Sequence, residues 1–497
     1  MKSRMTPLPD WDPAQLDQLG IAIKRVEADS RRVLAGDVFL ACPGIGADGR
    51  DYVPMALANG AVAVLWDPAG DFVWKSEWKV PNLAVPQLHD RAGLIASHVY
   101  GHPSRDLLTI GITGTNGKTS ISHWLAQAYT LLGRKAALIG TVGNGFYGEL
   151  KSSSHTTPDP VTIQHKLAEY RRQGAYMVTM EVSSHSLDQG RVNGVSFSTA
   201  LFTNLTRDHL DYHLTMDAYG EAKARLFHWE GLKHAVINVD DAFGRSLAAG
   251  IDSSETQVYA YGLYQGDIRP LTLTASLEGL AMRVTTPWGD VDLRSPLLGR
   301  FNASNLLACL ATLCANGVPL NEAARVLGQI QPARGRMQQL GCVHEPLIVI
   351  DYSHTPDSLE KALGTLSEIR TADSRLFCVF GCGGDRDRGK RPLMGGIAER
   401  LADVAVLTSD NPRTEEPRAI IDDVLAGMSH PGHVEIDRAR AIQWAIGQAG
   451  ARDIVLIAGK GHEEYQEVNG VKRPFSDFRV AEQALIEWGK AHDVQPD

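Results

Sequence analysis

A chain of 497 residues with a formal net charge of -9 is long enough for several domains and offers no broad basic surface of the kind nucleic-acid binding needs. The first ten residues lack the apolar centre of a signal peptide, and no run approaches the ~20 apolar residues of a membrane span. A cytoplasmic protein without membrane insertion and without a nucleic-acid partner is therefore expected, and its six cysteines, Cys42, Cys309, Cys314, Cys342, Cys378 and Cys382, read as reduced thiols because no second Cys/His pair completes a zinc site.

The order of elements predicts an α/β fold in three domains. Residues 1–88 read as a small α/β module. It has an apolar strand at 36–41, a loop at 44–49, a helix at 52–59, a strand at 61–65 and a loop-rich exit around Trp74 and Trp78. Residues 89–336 alternate apolar strands (107–110, 136–139, 177–181, 200–202, 235–239) with helical stretches, which predicts a mostly parallel sheet covered by helices. The interval 257–298 looks like an antiparallel insert, and 301–313 like a long helix. Residues 337–497 repeat the strand–helix rhythm, with strands at 347–350, 376–380, 404–407 and 454–457. This part reads as Rossmann-like, with its polar loops along the carboxyl edge of the sheet, where ligands bind.

The strongest chemical signal is Gly111-Ile112-Thr113-Gly114-Thr115-Asn116-Gly117-Lys118-Thr119-Ser120. It lies between an apolar strand and a helical pattern carrying Ile121, Trp124, Leu125, Ala128, Leu131 and Leu132 on one face. That context predicts a phosphate loop. Glycines let backbone N–H groups approach phosphate oxygens, and the helix start adds its dipole. Lys118 supplies positive charge, and Thr119 or Ser120 a hydroxyl for magnesium. The usual glycine five positions before Gly117 is Ile112 here. Two more strand ends carry chemistry. Glu181 opens Glu-Val-Ser-Ser-His, and the strand at 200–202 runs into Thr203-Asn204-Leu205-Thr206-Arg207-Asp208-His209. A carboxylate and an imidazole beside a phosphate loop are plausible magnesium ligands.

Together with Ala222-Lys223-Ala224-Arg225-Leu226-Phe227, these motifs resemble the signature set of the Mur ligases, across essentially the whole chain. The resemblance implies an ATP-dependent ligase of bacterial cell-wall synthesis that converts a carboxylate to an acyl phosphate, which an amine then attacks. It is closest to the member that adds a diamino acid to UDP-N-acetylmuramoyl-L-alanyl-D-glutamate. It implies an ATP site at Gly114, Thr115, Asn116, Gly117, Lys118, Thr119 and Ser120, completed by Asn302, Asn305, Arg336, Asp351 and His354. Magnesium would be held by Thr119 or Ser120, Glu181, His209 and Lys223, the last as a carbamate. Residue type alone makes Lys223 a surface lysine. The resemblance names Lys118, Glu181, His209 and Lys223 as catalytic. It assigns the UDP-sugar dipeptide to Ala28, Ser30, Ile45, Gly46, Ala47, His155, Thr156, Thr157, Ser183, Gln189 and Arg191. A monomer acting on small molecules is expected.

The choice of amino acid turns on Asp410-Asn411-Pro412-Arg413, which otherwise reads as a turn. Meso-diaminopimelate differs from lysine by a second carboxylate, and Arg413 offers the fork to grip it. Asp410 and Asn411 are expected to receive the distal ammonium. By resemblance, Arg386, Gly459 and Glu463 complete this site. The alternatives are a lysine-adding ligase of the same step, a folylpolyglutamate-synthetase-like ligase, and a nucleotide-binding regulator without turnover.

Overall fold

The computed structural model describes residues 11–492 except 45, 154, 342, 343 and 431. The expectations for Ile45, for Cys342 and for the first ten residues therefore lie outside the described residues. The chain is α/β and divides into two compact units. The first runs to Arg269 and takes in Thr285–Gly289 and Asn305–Val326; the second holds Pro270–Val284, Asp290–Ser304 and the chain from Leu327 on.

The first unit contains two sheets. The smaller has four parallel strands in sequence order, Val26–Glu27, Val38–Ala41, Ala63–Trp66 and Asn82–Ala84. The last of these lies in the stretch expected to be only loop. Its residues are exposed or half-buried, so it carries no apolar run that could have marked it.

The larger sheet has seven strands in the order Gln257–Tyr261, His234–Asn238, Thr199–Phe202, Leu108–Thr113, Met177–Glu181, Ala136–Gly140, Gly143–Phe146. The pairs are parallel except the last. Gln257–Tyr261 was expected in the antiparallel insert. It instead extends the main sheet, parallel to His234–Asn238, after the helix Ala242–Gly250 has carried the chain back across. Beyond it, Arg269–Ser276, Gly279–Thr286 and Gly289–Ser295 form a three-stranded sheet with two-residue connections, which only antiparallel neighbours allow.

From Leu108–Thr113 the chain goes first to one side of the sheet and later, at Thr199–Phe202, to the other. This is a topological switch point, the place where open α/β sheets bind ligands. The helix Lys118–Leu131 packs Ile121, Trp124, Leu125 and Ala128 fully out of solvent, whereas Leu131, expected on the same face, is exposed at the helix end.

The second unit is built on a six-stranded sheet, Gln338–Leu340, Leu347–Asp351, Ile454–Ala458, Leu376–Phe380, Val404–Leu407, His433–Val434, parallel except for its first pair. Both faces are covered, which explains continuous apolar runs such as Leu376-Phe377-Cys378-Val379-Phe380. Cys378 and Phe380 face Leu363, Met394 and Ile420, while Phe377 and Val379 face Ile442, Ile446 and Trp488. A hairpin, Tyr465–Val468 with Val471–Pro474, follows the central strand.

Candidate active site

In the first unit, the carboxyl ends of three adjacent strands bring the chemical motifs together. The register pairs Ile112 with Glu181 and Thr113 with Phe202, so the phosphate loop has Glu181 on one side and Thr203 on the other. Ile112 stays in the strand, fully buried, which is why a glycine is not needed there. The turn itself needs two. Gly114 has φ +143, and a Cβ on it would stand 1.8 Å from Thr203 Oγ1; Gly117 has φ +88, and its Cβ would stand 2.8 Å from Asn305 Oδ1. Asn305 therefore faces the loop where the helix Lys118–Leu131 starts. No side chain caps that helix start, as an anion cradle requires.

The loop is braced from the next strand end. Thr203 Oγ1 donates to Asn116 O (2.6 Å), Thr115 N–H donates to Asn204 O (2.8 Å), and Asn116 N–H donates to Asn204 Oδ1 (3.0 Å). Lys118 curls back, its Nζ 2.8 Å from the carbonyl oxygens of both Gly114 and Thr115.

Glu181 is completely buried at the end of its strand. Its carboxylate accepts from Thr119 Oγ1 (2.9 Å), from Thr141 N–H (2.7 Å) and from Thr141 Oγ1 (3.1 Å). Of the two hydroxyls proposed for magnesium, Thr119 is thus the one bonded to the carboxylate. His209 sits at the start of the short helix Leu210–His213 with φ +52 and remains partly open to solvent. Burial, with the charges of Lys118 and Lys223, holds its pKa below the usual value against the pull of Asp208. The Thr119 hydroxyl and the Glu181 carboxylate, 2.9 Å apart, are oxygen donors of the kind magnesium takes, whereas His209 brings a nitrogen and lies against His185 and Tyr219. Among the described residues no group of three or more His, Cys, Asp or Glu side chains could hold a metal by itself.

Lys223, in the helix Met216–Ala224, is only 1% exposed. The surface reading of this residue type is overturned. Its Nζ donates to Gly114 O (3.0 Å) and lies 4.2 Å from the Tyr219 ring centroid. Burial first, and then the nearby charge of Lys118, push its pKa well below that of an ordinary lysine.

The residues assigned to the UDP-sugar dipeptide gather in two places of the same unit. Thr157 Oγ1 donates to Glu181 O (2.8 Å) and lies 3.3 Å from Ser183 Oγ, and the hydroxyls of Thr156 and Thr141 lie 3.0 Å apart. Arg191 is held by Gln189 Oε1 (2.9 and 2.5 Å) and Thr157 O (3.0 Å), and Gln189 donates to the Tyr212 hydroxyl (3.2 Å). Ser30 is buried at the head of a short turn of helix, Ala28 is half-buried beside it, and Gly46 and Ala47 are exposed in their loop. Arg32 joins the two places. It donates to Thr162 Oγ1 (3.3 Å) and Asp159 Oδ2 (3.4 Å) and, with Asn144, Ser153, His155 and Lys166, lines a polar cavity of about 200 Å³.

In the second unit, the strand-end loops form a second cluster. Asp351 accepts from Met337 N–H (2.8 Å) and from the Ser353 hydroxyl, Arg336 lies 4.8 Å from the Tyr352 ring centroid, and His354 Nδ1 is 2.8 Å from Tyr352 O. Asn302 is buried, with its amide donating to Leu298 O (2.8 Å). Arg413 has φ +52, and its guanidinium donates to Gly384 O (2.7 Å) in space that a side chain on Gly383 would take. Arg386 is exposed on the same loop, and Pro412 and Glu463 flank the cluster. A Cβ on Gly459 would stand 2.5 Å from Asp410 Oδ2.

Asn411 differs from expectation. Its Oδ1 already accepts from Lys460 Nζ (2.9 Å) and Glu467 N–H (3.0 Å), and its Nδ2 donates to Glu463 Oε2 (2.8 Å). Both lone pairs of the amide oxygen are used, so Asn411 has none to give an ammonium. Asp410 and Glu463 are the available acceptors. Lys460, fully buried, was missed as a site residue, as were Thr141 and Asn204. Lys460 and Asn204 stand next to Gly459 and Thr203 in the chain, and no sequence signal pointed to Thr141.

Three family models match the chain: "Mur ligase family, catalytic domain" over residues 22–100, "Mur ligase middle domain" over 112–313 and "Mur ligase, glutamate ligase domain" over 335–461. The chain is 73% identical to the UDP-N-acetylmuramoyl-L-alanyl-D-glutamate–2,6-diaminopimelate ligase of Chromobacterium violaceum, covering 99% of this chain and 100% of that one. It is 56% identical to the enzyme of that name from Neisseria meningitidis, over 98% and 99% of the two chains. A solved structure of a ligase of the same name superposes with a TM-score of 0.70 at 39% identity, covering 94% of this chain and 95% of that one. A MurF ligase from Thermotoga maritima in complex with ADP shares the fold, with a TM-score of 0.64 at 18% identity over 95% and 99% of the two chains. The chain belongs to the Mur ligase family.

Proposed function

We propose that this chain is an ATP-dependent ligase that adds meso-2,6-diaminopimelate to the D-glutamate of UDP-N-acetylmuramoyl-L-alanyl-D-glutamate, in peptidoglycan precursor synthesis. A carboxylate oxygen of the glutamate bonds to the terminal phosphorus of ATP, and ADP leaves. The amine then bonds to the acyl carbon, phosphate leaves, and the amine nitrogen gives up its proton. The enzyme's part is positioning and charge neutralisation. Lys118 and the helix start are placed to hold the phosphates, Thr119, Glu181 and His209 would hold magnesium, and Thr157, Ser183, Gln189 and Arg191 would hold the UDP-linked acid. Magnesium supplies neutralisation of phosphate charge.

The observation that carries this reading is the burial of Lys223 against the phosphate loop. A lysine held there with a depressed pKa presents an uncharged amine. Such an amine bonds to the carbon of carbon dioxide and loses a proton, becoming an anion suited to magnesium. Arg336, Asp351 and His354 are assigned to the nucleotide, and Arg386, Asp410, Arg413, Gly459 and Glu463 to the diamino acid. The functional division of the chain runs 1–88, 89–336 and 337–497, supported by the similar spans of the three family models. No helix among the described residues is long and apolar enough to cross a membrane. The enzyme is taken to act as a cytoplasmic monomer, which light scattering checks. With ATP and the UDP-linked acid but no amine, hydroxylamine is expected to trap the acyl phosphate as a hydroxamate. ADP formed without hydroxamate would contradict the mechanism.

A further inference from the structure

We infer that Lys460 is a positioning residue that sets which charges the second unit presents to the incoming amino acid, and so governs the choice between diaminopimelate and lysine. This rests on the functional reading above. Lys460 follows the central strand Ile454–Ala458 and is 0% exposed. Its ammonium bonds two groups on different loops, Asn411 Oδ1 (2.9 Å) and Glu463 Oε2 (3.2 Å). Its third side is closed by the Tyr465 ring, with the centroid 5.5 Å away.

Two consequences follow from donor and acceptor counting. First, the Asn411 amide has one allowed orientation. Turned over, its NH₂ would face the Lys460 ammonium and the Glu467 N–H, donor against donor. Held as it is, the amide points its own N–H at Glu463 Oε2. Second, Glu463 has one oxygen occupied by two donors, while Oε1 takes no bond from the described residues and the side chain is 18% exposed. Glu463 therefore meets an outer group through Oε1 alone, with much of its charge already balanced from within.

That balance matters because acids crowd this cluster. Glu463 is bonded to Asn411, next to Asp410 in the chain, and Arg413 Nε lies 3.8 Å from Glu467 Oε2. The Arg413 backbone is tied to the same strand, its N–H donating to Glu467 O at 3.0 Å. With Lys460 neutralising Glu463, the cluster tolerates a ligand end that carries both an ammonium and a carboxylate. Without it, the cluster gains one uncompensated negative charge. A second carboxylate on the amino acid is then repelled, whereas a plain ammonium is not.

The test compares wild type with Lys460→Met and Lys460→Gln in the complete ligation assay, with meso-diaminopimelate and with lysine. The Michaelis constant for diaminopimelate is expected to rise about tenfold or more in Lys460→Met, with that for ATP nearly unchanged. The ratio of kcat/KM for diaminopimelate to that for lysine should fall. Lys460→Gln keeps a donor toward Asn411 without the charge. It should shift the ratio the same way and serves in place of the Met variant if thermal unfolding shows that variant to be misfolded. Equal losses with both amino acids, or an unchanged ratio, overturn the role of Lys460. Wild-type activity separates the two readings. If wild type ligates neither amino acid, the functional reading falls and this one with it; if wild type is active and the ratio stays put, only this one falls.

Discussion

The ammonium nitrogens of Lys118 and Lys223 share one acceptor, the carbonyl oxygen of Gly114, at 2.8 and 3.0 Å. Burial first, and then the charge of Lys118 on the same oxygen, hold the Lys223 pKa well below the ordinary lysine value.

Lys223→Ala should abolish turnover, and added bicarbonate with short carboxylic acids should partly restore it, read as phosphate release. Full activity in the alanine variant would refute the carbamate. Lys118→Met should raise the Lys223 pKa by removing the neighbouring charge. Labelled-bicarbonate NMR should then show the carbamate signal appearing only at higher pH than in wild type.

The same shift has a stability consequence. The folded pKa of Lys223 is depressed, so the unfolded chain binds the proton more tightly. Stability should therefore rise with pH from the depressed value up to about 10.4, the ordinary lysine value. Lys223→Met should remove that slope and raise Tm at neutral pH while inactivating the enzyme. A lower Tm would mean that the ammonium is stabilising where it sits.

Glu181→Gln keeps the shape but halves the acceptors available to Thr119 and Thr141 and removes the charge. The magnesium concentration for half-maximal activity should rise about tenfold or more, since a lost charge-assisted contact is worth roughly 1.5–3 kcal/mol. An unchanged magnesium requirement would take Glu181 out of the metal site.

Gly114→Ala places a methyl group 1.8 Å from Thr203 Oγ1 at φ +143. The strain should cost about 2 kcal/mol or more of stability and raise the Michaelis constant for ATP. Wild-type values for both would show that the loop relaxes freely.

Arg413→Ala should raise the Michaelis constant for diaminopimelate by about tenfold or more, and that for ATP little, because the carboxylate grip proposed for Arg413 would be lost. Equal effects on both would remove Arg413 from the specificity argument.

Much of this was legible in the sequence where local pattern and burial agree. The strand Leu108–Thr113, the glycine turn and the helix Lys118–Leu131 are contiguous, and each carries its own signal. Glu181 was legible as the polar end of an apolar run. What escaped depends on partners far away in the chain. Gln257–Tyr261 joins the main sheet only because His234–Asn238 offers a free parallel edge, and nothing within the segment says so. Lys223 and Lys460 are buried against Gly114 and Asn411, 109 and 49 residues away, contacts no periodicity encodes. The bonding of the Asn411 amide was not legible because residue type gives both a donor and an acceptor, and only the hydrogen-bond partners decide which is presented.

The most direct measurement is mass analysis of the product when the enzyme is given UDP-N-acetylmuramoyl-L-alanyl-D-glutamate, ATP, magnesium and an equal mixture of meso-diaminopimelate and lysine. The expected product is the acid extended by diaminopimelate, with one ADP and one phosphate per link formed. Phosphate release without an extended product, or a product carrying mainly lysine, would contradict the account.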